Sequence, residues 1–369
     1  MRPSAPSIAR GTCHVFFAWD VGASVDTEKC ARLLRSAPSR RGLSSRHPGP
    51  TSPYRSPPLY LARAIAPVPV GSAETDPEIE ILVHDFGVVS LGYRIPLAGS
   101  LESLVDLSCG LYDNPALRAD SQRIVGEFLA EIRRAVRTPS LFDECEDFVV
   151  FEIAALDPAV PTEQLLADHG ELIARILRSE SQPLSSGEVA DAHAYRIAYG
   201  RDDLVLVDWN AAMLFDRDAH DVRAVLEFAN LELLELRVLD RQLDEALTAS
   251  HRALRKRLVW LGWPGAAHRE AGRVARLQVE GAVLFEEVNN TLKLLGDQYL
   301  ARVYRLASQR LHLNDWDAGI LRKLETLESV HQKLADRATS RRMEFLEWII
   351  IVLIAVSIAL PFLPGGGGH

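Results

Sequence analysis

A chain of 369 residues has room for about two domains, and 47% hydrophobic with 25% charged residues is the balance of a protein that buries a core, which excludes a wholly disordered or fibrous chain. The net charge of −9 is unevenly spread: through Arg63 ten Lys/Arg stand against three Asp/Glu, and the remainder holds 31 against 47. An acidic body argues against a nucleic-acid-binding surface, and the four cysteines (Cys13, Cys30, Cys109, Cys145) show no C-x-x-C pair, disulfide framework or zinc-site spacing.

Residues 1–13 are basic and polar and read as a disordered N-terminus. The apolar run His14–Trp19 predicts a strand, and Thr27–Leu34 a short helix capped by Asp26. Residues 36–58 are rich in Ser, Pro and Arg without an acid, the composition of a flexible insertion. Ile79, Ile81 and Val83 alternate with Glu78, Glu80 and Leu82, then Asp85-Phe86-Gly87 signals a turn and Val88–Ile95 returns; this predicts a hairpin. Leu101–Leu111 is helical in pattern. Asn114-Pro115 supplies a cap and first-turn proline for a longer helix through Leu117, Ile124, Phe128, Ile132 and Val136. Phe148–Ala154 reads as a buried strand, Pro161–Leu177 as an amphipathic helix, and Ser185-x-x-Glu188 as the capping box of another. Leu204–Val207 and Ala211–Phe215 are short strands around Asp208-Trp209-Asn210. Residues 14–217 are therefore expected to form an α+β globular head.

From Asp218 the texture changes. Leucines at 236, 239, 243, 247, 254 and 258 recur at helical spacing, Gly262-Trp-Pro-Gly265 interrupts, and Val274, Leu277, Leu284, Val288 and Leu295 resume near a 3.5-residue repeat. A further helix follows Asn314-Asp315. Short links between long helices imply antiparallel packing, so residues 218–344 are expected to form a coiled-coil-like stalk, open to pairing with a second copy. The run 345–363 carries Trp348, Ile349, Ile350, Ile351, Leu353 and Ile354, with Arg337, Arg341 and Arg342 before it and a short tail, 364–369, after it. That is the pattern of a C-terminal transmembrane helix. The arginine excess places the bulk of the chain on the cytoplasmic side of a bacterial inner membrane, or the matrix side of a mitochondrial one.

Chemistry is harder to find. No G-x-x-x-x-G-K-[ST], G-x-G-x-x-G, H-E-x-x-H or G-x-S-x-G occurs. Asp216, Asp218 and His220 form the sharpest cluster, since two carboxylates and an imidazole so close could hold a divalent metal; alternate residues entering a helix do not converge of themselves, and capping already accounts for two of the aspartates, which favours a solvated helix start. His169 and His193 lie on helical faces where boundary histidines are the default. Asp202, Asp203 and Asp208 mark turns, and Asp143–Asp147 is an acidic run of surface character.

Lys323-Leu-Glu-Thr-Leu327 followed by RRMEFLEWIIIVLI from Arg341 to Ile354 resembles the end of the "required for meiotic nuclear division" family of membrane-anchored proteins. The hairpin stretch Val83–Val89, Leu204–Trp209 and the helical stretch Leu231–Leu243 are similar to other parts of that family, over about Leu59 to Leu360. The resemblance implies an anchored protein, in mitochondria one that supports translation at the inner membrane, with no catalytic residues to carry over. Two readings follow. The first is a tail-anchored scaffold without cofactor or catalytic activity, touching the bilayer through its last helix and a protein partner through its head. The second is a membrane-attached metal-dependent hydrolase acting through Asp216, Asp218 and His220.

Overall fold

The computed structural model describes residues 5–34, 39–40, 58–255 and 298–359. The strands are β1 (Ser7–Asp20), β2 (Ser24–Val25), β3 (Ser39–Arg40), β4 (Leu59–Ala64), β5 (Pro69–Val70), β6 (Ala73–Glu74), β7 (Glu78–Val83), β8 (Val88–Ser100), β9 (Val136–Arg137), β10 (Glu146–Asp157), β11 (Arg196–Ile197), β12 (Leu204–Val207) and β13 (Ala211–Phe215). The helices, renumbered here in chain order, are α1 (Thr27–Leu33), α2 (Ser103–Leu111), α3 (Pro115–Ile132), α4 (Thr162–Leu177), α5 (Ser186–Ala192), α6 (His220–Arg255), α7 (Gln298–Arg310) and α8 (Leu313–Ala359). Among the described residues, nine strands form one mixed sheet in the order β11-β12-β13-β10-β1-β8-β7-β4-β3.

The sheet is built outward from β1, which pairs antiparallel with both β8 and β10 along most of its length. Residues 7–13, expected to be disordered, are its first half: Ile8 and Cys13 are buried. A period of two sorts the strand's side chains between faces. Cys13, Val15, Phe17 and Trp19 enter the main core with residues of α2, α3 and α4, including Leu104, Leu117, Phe128, Leu165 and Ile173. The alternate residues His14, Phe16 and Ala18 belong to the opposite face, where Ala18 and Val88 pack against Leu231, Leu234 and Val238 of α6. β10 and β13 run parallel, so the chain must cross over between them, through α4, α5, β11 and β12.

The turn after β7 depends on two glycines. Gly87 has φ of +102° and Gly22 of +143°, and Val21 donates its N–H to the Gly87 carbonyl at 2.9 Å. A Cβ added to Gly87 would lie 1.8 Å from the Gly22 carbonyl oxygen.

Two compact units divide the chain: residues 1–238 with 282–317, and 239–281 with 318–369. In the first, every position of α6 from Val225 to Leu234 is buried, although three of them are Glu227, Asn230 and Glu232. A buried polar group needs a partner. Ser90 donates to Glu227, Asn230 donates to the Glu146 carbonyl at 3.4 Å, and Tyr304 of α7 donates to Glu232. Burial pushes Glu232 up to about 8, the hydrogen bond from Tyr304 opposing and the Asp317 charge adding to the rise. In the second unit, Lys323 of α8 bridges Asp240 and Asp244 of α6, each at 2.7 Å.

The expected transmembrane helix is corrected. Among the described residues no helix is long and apolar enough to cross a membrane. The segment continues α8, a helix of mostly polar and charged sequence. Its described apolar side chains at this end are Trp348 to Ile354 after Glu347, all exposed. Within the described helix the uncharged apolar run from Trp348 to Ala359 is twelve residues, about 18 Å, against the roughly 20 residues a hydrocarbon core requires. Residues 360–363 lie outside the described residues, as do the side chains of Arg337, Arg341 and Arg342. The tail-anchored, single-pass placement rested on that helix and is withdrawn with it.

Two outcomes follow. Gly87→Ala should lower the denaturant midpoint by the equivalent of about 3 kcal/mol, because the strained φ and the clash with Gly22 add. For Glu232, a folded-state value near 8 against 4.5 means that the folded state keeps a proton the unfolded chain has released. Its contribution is complete below about pH 4.5 and is lost as pH rises through 8. Glu232→Gln, which cannot ionise, should match the wild type near pH 5 and exceed it near pH 8.5 by on the order of 2 kcal/mol in chemical unfolding.

Candidate interaction site

The hairpin β12–β13 turns at Asp208-Trp209-Asn210, closed by the Asp208 N–H donating to the Ala211 carbonyl at 2.7 Å. The sequence puts this tight turn between LVLV and AAMLF, two runs buried at every position, so its backbone is seated in the sheet. Asp208 is fully buried. A carboxylate out of water requires opposite charge with good geometry, and two arginines supply it. Arg178, the C-cap of α4, donates Nε to Asp208 Oδ2 at 3.1 Å; Arg310, the last residue of α7, donates Nε to Oδ1 at 2.9 Å and adds a second bond through Nη2. The Trp209 N–H also donates to Asp208 Oδ1, at 2.7 Å.

The same guanidiniums reach α5. Arg178 pairs with Glu188 and Asp191, and Arg310 lies 3.2 Å from Asp191. Arg310 also stacks over the Tyr195 ring at 5.0 Å. Burial works against the Arg310 charge, yet the hydrogen bond and charge of Asp208, with Asp191, hold its pKa above the ordinary value. The Arg178 hydrogen bond is the main reason the Asp191 carboxyl is held low. Asp208 thus joins the end of α4, α5, the β12–β13 turn and the end of α7.

Beside this clamp stands an exposed aromatic pair. The Trp209 ring meets the Tyr112 ring edge to face at 5.7 Å, and the two residues are 48% and 49% exposed. Tyr112 is held by the turn between α2 and α3, where Asp113 takes a left-handed φ of 48° and Asn114 accepts from the N–H groups of Ala116 and Leu117. Asp113 follows Tyr112 directly and acts electrostatically on Asp147, whose carboxyl is raised by burial, against the pull of Arg118. Glu180 acts on Cys109, in the last turn of α2, where the thiol donates to the Ser179 carbonyl at 3.2 Å.

The candidate metal cluster takes another form. Asp216 accepts from the Asp218 N–H at 3.1 Å, while His220 Nδ1 lies 3.2 Å from Asp221 Oδ1. Among the described residues no group of three His, Cys, Asp or Glu side chains is placed to hold a metal ion. Asp216 lines a cleft of about 660 Å³ at the C-terminal ends of β10 and β13, with Thr162, Arg201, Asp203 and Arg217. Asp203 closes a turn by accepting from the N–H groups of Tyr199 and Gly200. His169 sits at a kink in α4 (φ −126°, ψ 16°), and both it and His193 border a second cleft of about 570 Å³. Burial lowers the His193 pKa, and the charge of Arg196 adds to the lowering.

Two readings from sequence change. Glu146, in the run read as surface, is buried; it pairs with Arg237 at 2.5 Å, and burial pushes it up to about 7. His14 is buried beside Glu152 and Arg223. Arg223 Nη1 donates to Glu152 Oε2 at 2.7 Å and lies 3.0 Å from His14 Nε2. A guanidinium has only donors, so that imidazole nitrogen presents its lone pair and His14 is neutral, in agreement with the lowering of its pKa by burial. Arg178, Arg310 and Tyr112 carried no sequence signal of their own.

Comparison with known proteins places this geometry in a family without an assigned activity. Residues 10–221 match the sequence model described as "Uncharacterized protein MJ0711, N-terminal domain". A curated relative, "Uncharacterized protein MJ0711" of Methanocaldococcus jannaschii, is 21% identical over 204 residues, covering 54% of this chain and 61% of the relative. The chain therefore spans less than two thirds of that relative's length. No solved structure matches. The matched region holds β1 from Arg10 onward, the whole crossover between β10 and β13, and the Asp208-Trp209 turn, and on that match the chain belongs to the MJ0711 N-terminal-domain family.

Proposed function

We propose that the protein is a non-catalytic binding module, whose head recognises a protein partner through the Tyr112–Trp209 surface. The observation that carries this reading is an exposed, mutually oriented aromatic pair held on rigid backbone next to a buried ion clamp. Tyrosine and tryptophan dominate binding hot spots because each buries a large rigid area at little entropic cost. Several buried or partly buried carboxylates are engaged in internal joints: Asp208 with Arg178 and Arg310, Glu152 with Arg223, Glu146 with Arg237. The resemblance of the sequence to the "required for meiotic nuclear division" family rests on structural rather than catalytic motifs, which favours the same reading.

The test is cross-linking of the full-length protein in cells, comparing wild type with Trp209→Ala. Because Trp209 is half exposed, the substitution should leave unfolding within about 0.5 kcal/mol of wild type, while a partner recovered recurrently with the wild type should be lost. An unchanged set of recovered partners would overturn the reading. Asp208→Ala should behave differently, costing about 3 kcal/mol of stability because it strands two partly buried guanidiniums. Calorimetry with Mg²⁺, Mn²⁺ and Zn²⁺ should give no heat that Asp218→Ala/His220→Ala abolishes; a site-dependent signal would favour the hydrolase instead.

A further inference from the structure

Asp208, Glu146 and Glu152 each hold a guanidinium that answers their charge away from water. Glu232 has none. It is 4% exposed, and it accepts its hydrogen bond from the phenol of Tyr304 on α7, a side chain that is itself buried. The other titratable group it faces is Asp317, near the start of α8, and among the described residues no cation acts on either acid. A carboxyl so placed keeps its proton, because ionising it would set a second negative charge beside Asp317 in a dry interface.

The helices that meet there are held unequally. α6 runs 36 residues, its stretch Val225–Leu234 is buried at every position, and Leu231, Leu234 and Val238 pack on Ala18 and Val88 of the sheet. α7 has 13 residues and buries one face, through Leu300, Val303, Tyr304, Ala307 and Ser308. Its polar anchors are Tyr304, whose ring lies 6.2 Å from that of Phe228, and Arg310, bound to Asp208. An ionised Glu232 needs water, and moving the shorter helix to admit it costs less than lifting α6 from the sheet.

We propose that Glu232, Tyr304 and Asp317 form a proton-operated latch: with Glu232 protonated α7 is docked on α6, and loss of that proton to water frees α7 and, with it, Arg310 from Asp208. The latch acts within one chain and does not depend on the partner-binding reading above. Its direction is fixed by burial, which raises Glu232 to about 8 and Asp317 to about 6, so docked α7 keeps protons that the open form releases. The hold is complete below the ordinary carboxylate values of 4.5 and 3.8 and is lost as pH rises through 6 and then 8.

The test is amide hydrogen exchange on the full-length protein at about pH 6 and about pH 8.5, each rate divided into the unstructured-chain rate at that pH to give a protection factor. In the wild type the α7 amides should lose about tenfold or more of their protection between the two, while β1 amides keep theirs. The Trp209 amide, which donates to Asp208, should lose protection together with α7, because Arg310 leaves the same carboxylate. Glu232→Gln keeps an acceptor for Tyr304 and cannot ionise, so its α7 should stay protected to within about twofold. Asp317→Asn removes the like charge and should leave α7 better protected than in the wild type at the higher pH; it carries the same contrast if Glu232→Gln fails to fold. Equal protection of wild-type α7 at both pH values overturns the latch, as does a loss that neither variant relieves. A loss shared equally by β1 marks global unfolding and overturns it too. If α7 opens while the Trp209 amide stays protected, the release of Arg310 from Asp208 is wrong.

Discussion

Asp208 is a carboxylate removed from water, and the arrangement at its end of the sheet depends on its being neutralised there. An isolated buried charge costs several kcal/mol, so the turn that carries it can be seated only when Arg178 and Arg310 arrive together. A buried ion group of this kind is weak evidence for stability, since well-packed apolar residues could replace it at little cost. Its stronger effect is on which elements meet. The carboxylate accepts two guanidiniums from two different helices, and those guanidiniums also reach α5. A hydrophobic contact at the same place would tolerate sliding, whereas the forked geometry fixes direction and register.

The two faces of the sheet solve different problems. On one, large apolar side chains from β1, β8 and β10 meet three helices in a continuous core. On the other, Ala18 and Val88 pack against α6, and polar contacts join the apolar ones: Ser90 with Glu227, Glu146 with Arg237, and Arg223 with Glu152 beside His14. A helix as deeply buried as the middle of α6 is usually apolar all round. Here its buried glutamates remain because each meets a donor, and burial pushes Glu232 toward the neutral acid, as it does Glu146 of β10 against the sheet. The attachment of α6 and α7 to the sheet is therefore chemically specific, and also sensitive to proton activity.

Much of the head could be read from local sequence, because its signals are local. Alternation at 79–83, the Asp-Phe-Gly turn and the Asn114-Pro115 cap each state a preference within a few residues, and β7, β8 and α3 follow them. The extent of β1 was hidden, since Ser7–Thr12 is too polar to announce a strand and is held by neighbours on both sides. Asp208 resembled an ordinary turn aspartate because its decisive partner lies 102 residues away. Glu146 sat among acids and so looked like surface, although Arg237 comes 91 residues later. At the C-terminus the error ran the other way: a strong local hydropathy signal suggested a bilayer, while among the described residues the helix lacks the apolar length to cross one. The aromatic surface was illegible for the reason Asp208 was, since Tyr112 and Trp209 are neighbours only after α2 and the β12–β13 turn are in place.

The separation between Asp208 and Arg310 also has a consequence in time. A ribosome delivers the N-terminal residues first, at about 5–20 residues per second, so every strand of the sheet and Arg178 emerge before Arg310 exists. For several seconds the nascent head holds Asp208 with one of its two guanidiniums, and closing a loop of that length is entropically slow to be repaid. The end of the head that carries Trp209 should therefore be the last part to gain its final rigidity during synthesis. A partner that requires the rigid turn would then engage only chains whose α7 has been made.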